Sequence, residues 1–176
     1  MIYRTKTYLA ADFDNDIEAI NQLLNWNESE YYSGIDFVNV HEFMQSRDTS
    51  YPCSIKKSLS TRMDMCKLFI LIVGDKTNLV TKGSCQYCGQ YRKLENMCFL
   101  NQHSNSKSFI EFECDRAKRD YLKGKIKILI LYNSPYIHKD RCPEPLRDIG
   151  IHYPMKTNGK YDYQKVKFAF FDLEML

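Results

Sequence analysis

Glycine, proline and tryptophan are scarce: Gly 7, Pro 5 and Trp 1 in 176 residues. That excludes a collagenous or low-complexity chain. Charge of one sign is missing too, because Lys+Arg 25 against Asp+Glu 22 leaves only +3. So small a surplus gives no electrostatic case for a nucleic-acid or membrane partner. Long hydrophobic runs are absent. The longest, 68–73 and 126–132, are strand-sized, whereas a membrane-spanning helix needs about 20 apolar residues. Residues 1–11 carry Arg4 and Lys6 and lack the apolar stretch of a signal peptide. Several phosphate and nucleophile motifs are also missing. No Gly-x-Gly-x-x-Gly follows a strand, Gly74-Asp75-Lys76-Thr77 lacks the rest of a Walker A loop, and there is no Gly-x-Ser-x-Gly elbow. His41, His103, His138 and His152 form no spaced pair on a helix.

The chain is rich in aromatics (Tyr 13, Phe 10) and holds Cys 7. An odd number of thiols without an export signal reads as reduced cysteines or metal ligands in a cytoplasmic protein. The length suits one sizeable domain over residues 1–176.

The periodicity alternates between strand and helix. Residues 5–11 read as a first strand ending in Asp12-Phe13-Asp14-Asn15-Asp16. A helix follows with Ile17, Ile20 and Leu24 at helical spacing, and Asn15 with Glu18 spells a capping box. A second strand is expected over 35–40, and a short helix with Ile55, Leu59 and Met63 on one face. Cys66–Val73 reads as a central strand covered on both faces. A polar insertion at 75–107 interrupts the pattern. Ser108 and Glu111 then form a capping box for a helix that Gly124 ends. A strand at 126–132 follows, then a short one at 151–153 and a closing segment at 163–171 that reads as helix or strand. Such alternation implies a mostly parallel sheet with helices on both faces.

Three groups of residues could carry chemistry. Glu113 falls about 75° from the centre of the stripe Ile110, Cys114, Ala117 and Tyr121, at the rim of the buried face. There burial raises a carboxyl pKa and the nearby helix N-terminus lowers it. A solvated surface Glu is the plainer alternative. The acids Asp12, Asp14 and Asp16 follow strand one, where open α/β sheets bind ligands. A calcium loop is excluded, because Ile17 and Leu23 stand where Gly and Glu are needed. An aspartyl phosphatase using Asp12 as nucleophile and Asp14 as acid stays open, beside a simple run of turn-forming acids. Finally, Cys85 and Cys88, with Cys98 and His103, supply four ligands for a structural zinc. The alternative is thiols packed as small hydrophobes.

Three ordered segments resemble the bacterial TIR-like (Toll/interleukin-1 receptor-like) family, akin to the signal-producing subunits of Thoeris antiphage systems. They are Lys6-Thr7-Tyr8-Leu9-Ala10-Ala11-Asp12-Phe13-Asp14; Ser54-Ile55…Leu59…Arg62-Met63 leading into Lys67-Leu68-Phe69-Ile70-Leu71-Ile72-Val73-Gly74; and Ser108-Phe109-Ile110-Glu111-Phe112-Glu113…Ala117 before Ile126-Lys127-Ile128-Leu129. The resemblance implies a flavodoxin-like three-layer α/β domain carrying the Cys-containing insertion. It implies cleavage of NAD, the substrate, at the nicotinamide–ribose bond, releasing a cyclic ADP-ribose-type signal for a separate effector protein. Glu113 would then be catalytic, with Asp12, Phe13, Asp14 and Phe109 lining the nucleotide pocket. A catalytically silent interaction module is the other expectation. Family members often self-associate to cover the site, and residues 42–52, with Phe43, Met44 and Tyr51, are the expected covering segment.

Overall fold

A computed structural model describes residues 4–40, 51–99 and 105–175. In chain order the elements are β1 (Lys6–Ala10), α1 (Ile17–Glu28), α2 (Pro52–Met63), β2 (Cys66–Val73), β3 (Tyr91–Arg92), β4 (Met97–Cys98), α3 (Phe109–Leu122), β5 (Lys127–Tyr132), β6 (Ile151–Pro154), β7 (Lys156–Thr157), β8 (Lys160–Tyr161) and α4 (Tyr163–Met175).

β1, β2, β5 and β6 form one parallel sheet in that order. Tyr8 lies level with Phe69, and Phe69 with Ile128. Side chains alternate across the pleat. Tyr8, Phe69, Leu71, Ile128 and Ile130 meet α2 and α3 on one face, packing with Leu59, Met63, Ile110, Cys114 and Ala117. Leu9, Leu68, Ile70, Leu129 and Leu131 meet α1 and α4 on the other, against Ile20, Leu23, Trp26, Val166 and Ala169. Burial on both faces explains the near-continuous apolar sequence of β2. The architecture is the flavodoxin-like three-layer α/β fold, with β1 at one edge of the four-stranded sheet. Among the described residues no helix is long and apolar enough to cross a membrane.

Several local expectations need correction. Residues 35–40 do not form a strand. They make a single bridge from Asn39 to Thr7, whose N–H donates to the Val38 carbonyl at 2.8 Å. The Asn27 side chain takes the place of the missing ladder, accepting from Phe37 N–H at 2.7 Å and donating to Phe37 C=O at 3.0 Å. The first helix is capped by Asp16, with no side-chain cap bond, instead of an Asn15–Glu18 box. Its buried stripe is Ala19, Ile20, Leu23 and Trp26, which leaves Ile17 exposed. On α3 the buried stripe ends with Asp120 and not Tyr121. Asp120 accepts from Arg4 at 2.9 Å and lies 3.5 Å from Arg116, so its charge is paired. The closing segment is helix throughout, and the β7–β8 hairpin had no clear sequence signal.

The insertion carries two 3-10 turns, Thr77–Leu79 and Cys85–Tyr87, and the β3–β4 hairpin. It is tied to the domain by hydrogen bonds. Buried Lys56 donates to the carbonyls of Asn105 (3.3 Å) and Lys107 (2.6 Å). Asn78 donates to the Asp140 carbonyl at 2.7 Å, and Phe109 N–H to that of Lys82 at 2.9 Å.

Candidate active site

The α3 N-terminus is fixed by its sequence. Ser108 Oγ accepts from Glu111 N–H at 3.2 Å, and Glu111 Oε2 accepts from Ser108 N–H at 2.7 Å. The reciprocal bonds set the first turn and so the direction in which residue 113 points. α3 follows β2, so its first turn lies at the carboxyl edge of the sheet, where open α/β folds place their ligand crevice.

Glu113 is 7% exposed and more deeply set than a rim position requires. Fully buried Tyr8, directed from β1 to the same face, donates its hydroxyl to Glu113 Oε1 at 2.5 Å. The Tyr8 ring stacks on Phe69, centroids 5.6 Å apart and planes within 12°. Burial pushes the Glu113 carboxyl up to about 7, against the opposing pull of the Tyr8 hydrogen bond and the Arg62 charge on α2. The Tyr8 phenol is held well above its ordinary range by burial and by Glu113, so it remains a donor. The result is an acid poised near neutrality and held in one orientation, which is the usual preparation of a catalytic carboxylate.

The β1 loop and the insertion close over the start of α3. Asp12 is a turn former whose two oxygens accept from Asp14 N–H (3.2 Å) and Asn15 Nδ2 (2.6 Å). Phe13 is 51% exposed. Asp14 is exposed and lies 3.3 Å from Lys82, a solvent-screened pair of little energetic weight. Lys82 also accepts the Phe109 N–H, so the β1 loop, residues 82–83 and α3 converge. Phe109 is half-buried under Gly83, where a Cβ would come 2.5 Å from its ring. Gly83, at φ +95, is therefore needed both for its backbone conformation and for this contact. The structure thus links Asp14 of the β1 loop to Phe109 through Lys82, with Glu113 one turn further along α3.

Tyr8 and Arg62 beside Glu113, and Asn133 beside Asp16, are neighbours that sequence reasoning did not select, whereas Asp16 belongs to the acidic run read there. Asp16 is buried, accepts from Asn133 Nδ2 at 2.9 Å and presses on Gly74. Burial, with Asp12 and Asp75 adding to it, raises its pKa. The alternating pleat of β1 could have pointed to Tyr8, but nothing local marks Asn133.

Cys85 and Cys98 are buried, and Cys88 is half-buried. Among the described residues no group of three or more His, Cys, Asp or Glu is gathered to hold a metal. His103 lies outside the described residues, as do 42–50 of the expected covering segment, including Phe43 and Met44. No protein-family model matches the chain, and the search of curated proteins finds no match.

Proposed function

We propose that this chain is a TIR-like enzyme of the cytoplasm that cleaves NAD at the nicotinamide–ribose bond and makes an ADP-ribose-type signal in antiphage defence. The observation that carries the reading is Glu113: a buried carboxyl near neutrality, fixed by Tyr8, one turn inside the α3 start. Its place in the Ser108–Glu113 segment matches the family's catalytic Glu.

In this reading the ribose of NAD enters beneath the β1 loop and meets Glu113 Oε2, because Oε1 is engaged by Tyr8. As the C1′–N bond breaks, its electron pair leaves with nicotinamide and positive charge grows on the ribose. An ionised Glu113 stabilises that charge in a site of low dielectric, where a fixed carboxylate acts far more strongly than in water. Water, or a second group of the same nucleotide, then captures C1′ and sets whether the product is linear or cyclic. Phe13, half-exposed on the loop after β1, is the aromatic side chain assigned to the base in this reading. Self-association over the site and a separate effector reading the product belong to the same proposal. A structural zinc on Cys85, Cys88, Cys98 and His103 is a separate proposal resting on sequence spacing alone.

Incubating purified protein with NAD and separating the products by chromatography tests the reading. Stoichiometric nicotinamide with a linear or cyclic ADP-ribose product supports it. Intact NAD, with and without phage-infected lysate, favours the silent module. Release of phosphate from an aryl phosphate with magnesium instead favours Asp12 and Asp14.

A further inference from the structure

α4 is apolar on two opposite sides. Val166, Ala169, Phe170 and Leu173 are buried against the sheet, level with Leu129 and Leu131 of β5. At about 100° per residue, the opposite side carries Gln164, Phe168, Phe171 and Met175. Phe168 is 60% exposed, Phe171 57% and Met175 75%. A surface helix ordinarily turns charged residues outward, and one that is apolar all round is covered on both sides. With a whole phenylalanine presenting about 200 Å², the three side chains offer roughly 400 Å² of apolar surface, a size that marks an interaction site.

The spacing selects the occupant. Gln164, Phe168, Phe171 and Met175 follow the four-three-four interval of a coiled-coil seam. Lys165 and Asp172 flank the seam on one side, and Lys167 and Glu174 on the other. On each flank the cation lies in the first half of the helix and the acid in the second. A second helix of the same sequence, packed antiparallel, sets Phe168 against Phe171 of its mate. It also brings Lys167 opposite Glu174 and Lys165 opposite Asp172, each twice by symmetry. Such a two-fold contact uses one surface on both partners. We infer that α4 is a homodimerisation surface on which a second copy of this chain packs its own α4 antiparallel.

The outer flank pair is freer to engage than the inner one. Lys165 Nζ already donates to the Lys156 carbonyl at 3.1 Å, and Asp172 accepts from the Tyr153 hydroxyl. Glu174 is exposed. Lys167 Nζ rests 5.8 Å from the Tyr163 ring, a contact a longer-lived ion pair can replace. Both chains together would bury on the order of 800 Å², below the size of stable interfaces and in the range of weak, transient contacts. The dimer is therefore weak and concentration-dependent. α4 lies on the α1 side of the sheet and Glu113 on the α2–α3 side, so the contact leaves the candidate site uncovered. The inference stands whether or not NAD is the substrate.

Sedimentation velocity on the full chain, over about 10 to 500 µM at low salt, tests it. The weight-average sedimentation coefficient should rise with concentration and fall back in high salt. Phe168→Ser with Phe171→Ser should weaken association at least about tenfold, with an unchanged circular dichroism spectrum. Lys167→Glu and Glu174→Lys should each weaken it, and the Lys167→Glu/Glu174→Lys double variant should restore it. A monomer at every concentration would overturn the inference. So would a dimer that the Phe variants leave intact, or a double variant no stronger than its parents.

Discussion

Replacing Glu113 by Gln should stabilise the protein above neutral pH while removing its activity. Burial has raised the Glu113 carboxyl from 4.5 to about 7 in the folded chain. Between those values the unfolded chain has lost this proton and the folded chain has kept it. The contribution of the buried acid to stability is therefore whole below about pH 4.5 and lost as pH rises through about 7. At 1.36 kcal/mol per unit, keeping Glu113 buried above pH 8 costs about 3 kcal/mol relative to an unperturbed carboxyl. Gln has nearly the same volume and no charge, and its amide oxygen can still accept from Tyr8. The weaker neutral hydrogen bond gives back about 1 kcal/mol. The assay is thermal unfolding of both proteins at pH 5 and pH 8. Because the other titrating groups are shared, the difference between the two proteins isolates Glu113. For a chain of this length 1 kcal/mol moves the midpoint by about 2–4 °C. The variant should therefore gain several degrees on its parent between pH 5 and pH 8. Equal pH dependence in the two proteins would refute a buried acid near neutrality.

Three further outcomes are expected. Tyr8→Phe removes the hydrogen bond that favours the ionised form of Glu113, so the acid limb of the pH–activity profile should move to higher pH; an unmoved limb would detach Tyr8 from the site. Gly74→Ala places a Cβ 2.0 Å from Asp16 Oδ1 and should cost about 1–3 kcal/mol in urea unfolding. The cost should largely vanish in an Asp16→Ala background, and its persistence there would mean a different clash dominates. Elemental analysis of untagged protein should give about one zinc per chain if the four ligands close a site, and metal-free protein of full stability would remove that proposal.

The fold was legible because its signals are strong and redundant. The apolar run of β2, the capping box at Ser108 and Glu111, and Gly124 at φ +64 all act locally and appear as read. Residues 35–40 have the alternation of a strand, yet Asn27 captures their backbone groups. That competition comes from a residue on α1, which no window over 35–40 contains. Glu113 could be placed near a buried face from helical spacing alone. What makes it unusual is Tyr8, 105 residues away, and such a partner becomes visible only when β1 and α3 are packed together. Asp12 stands where its position after a strand suggested, and its oxygens accept from Asp14 N–H and Asn15 Nδ2 within the turn, local bonds that the Asp-Phe-Asp-Asn spacing permits.

The central claim is that Glu113 supplies the charge that drives nicotinamide release. Its most direct test is the rate of nicotinamide release from NAD by the parent protein and by Glu113→Gln, measured side by side from pH 5 to pH 9. The parent rate should climb through about pH 7, where Glu113 ionises, and the variant, folded and at least as stable, should show no release at any pH. Release by the variant at the parent rate, or a parent profile flat across neutrality, would contradict the account.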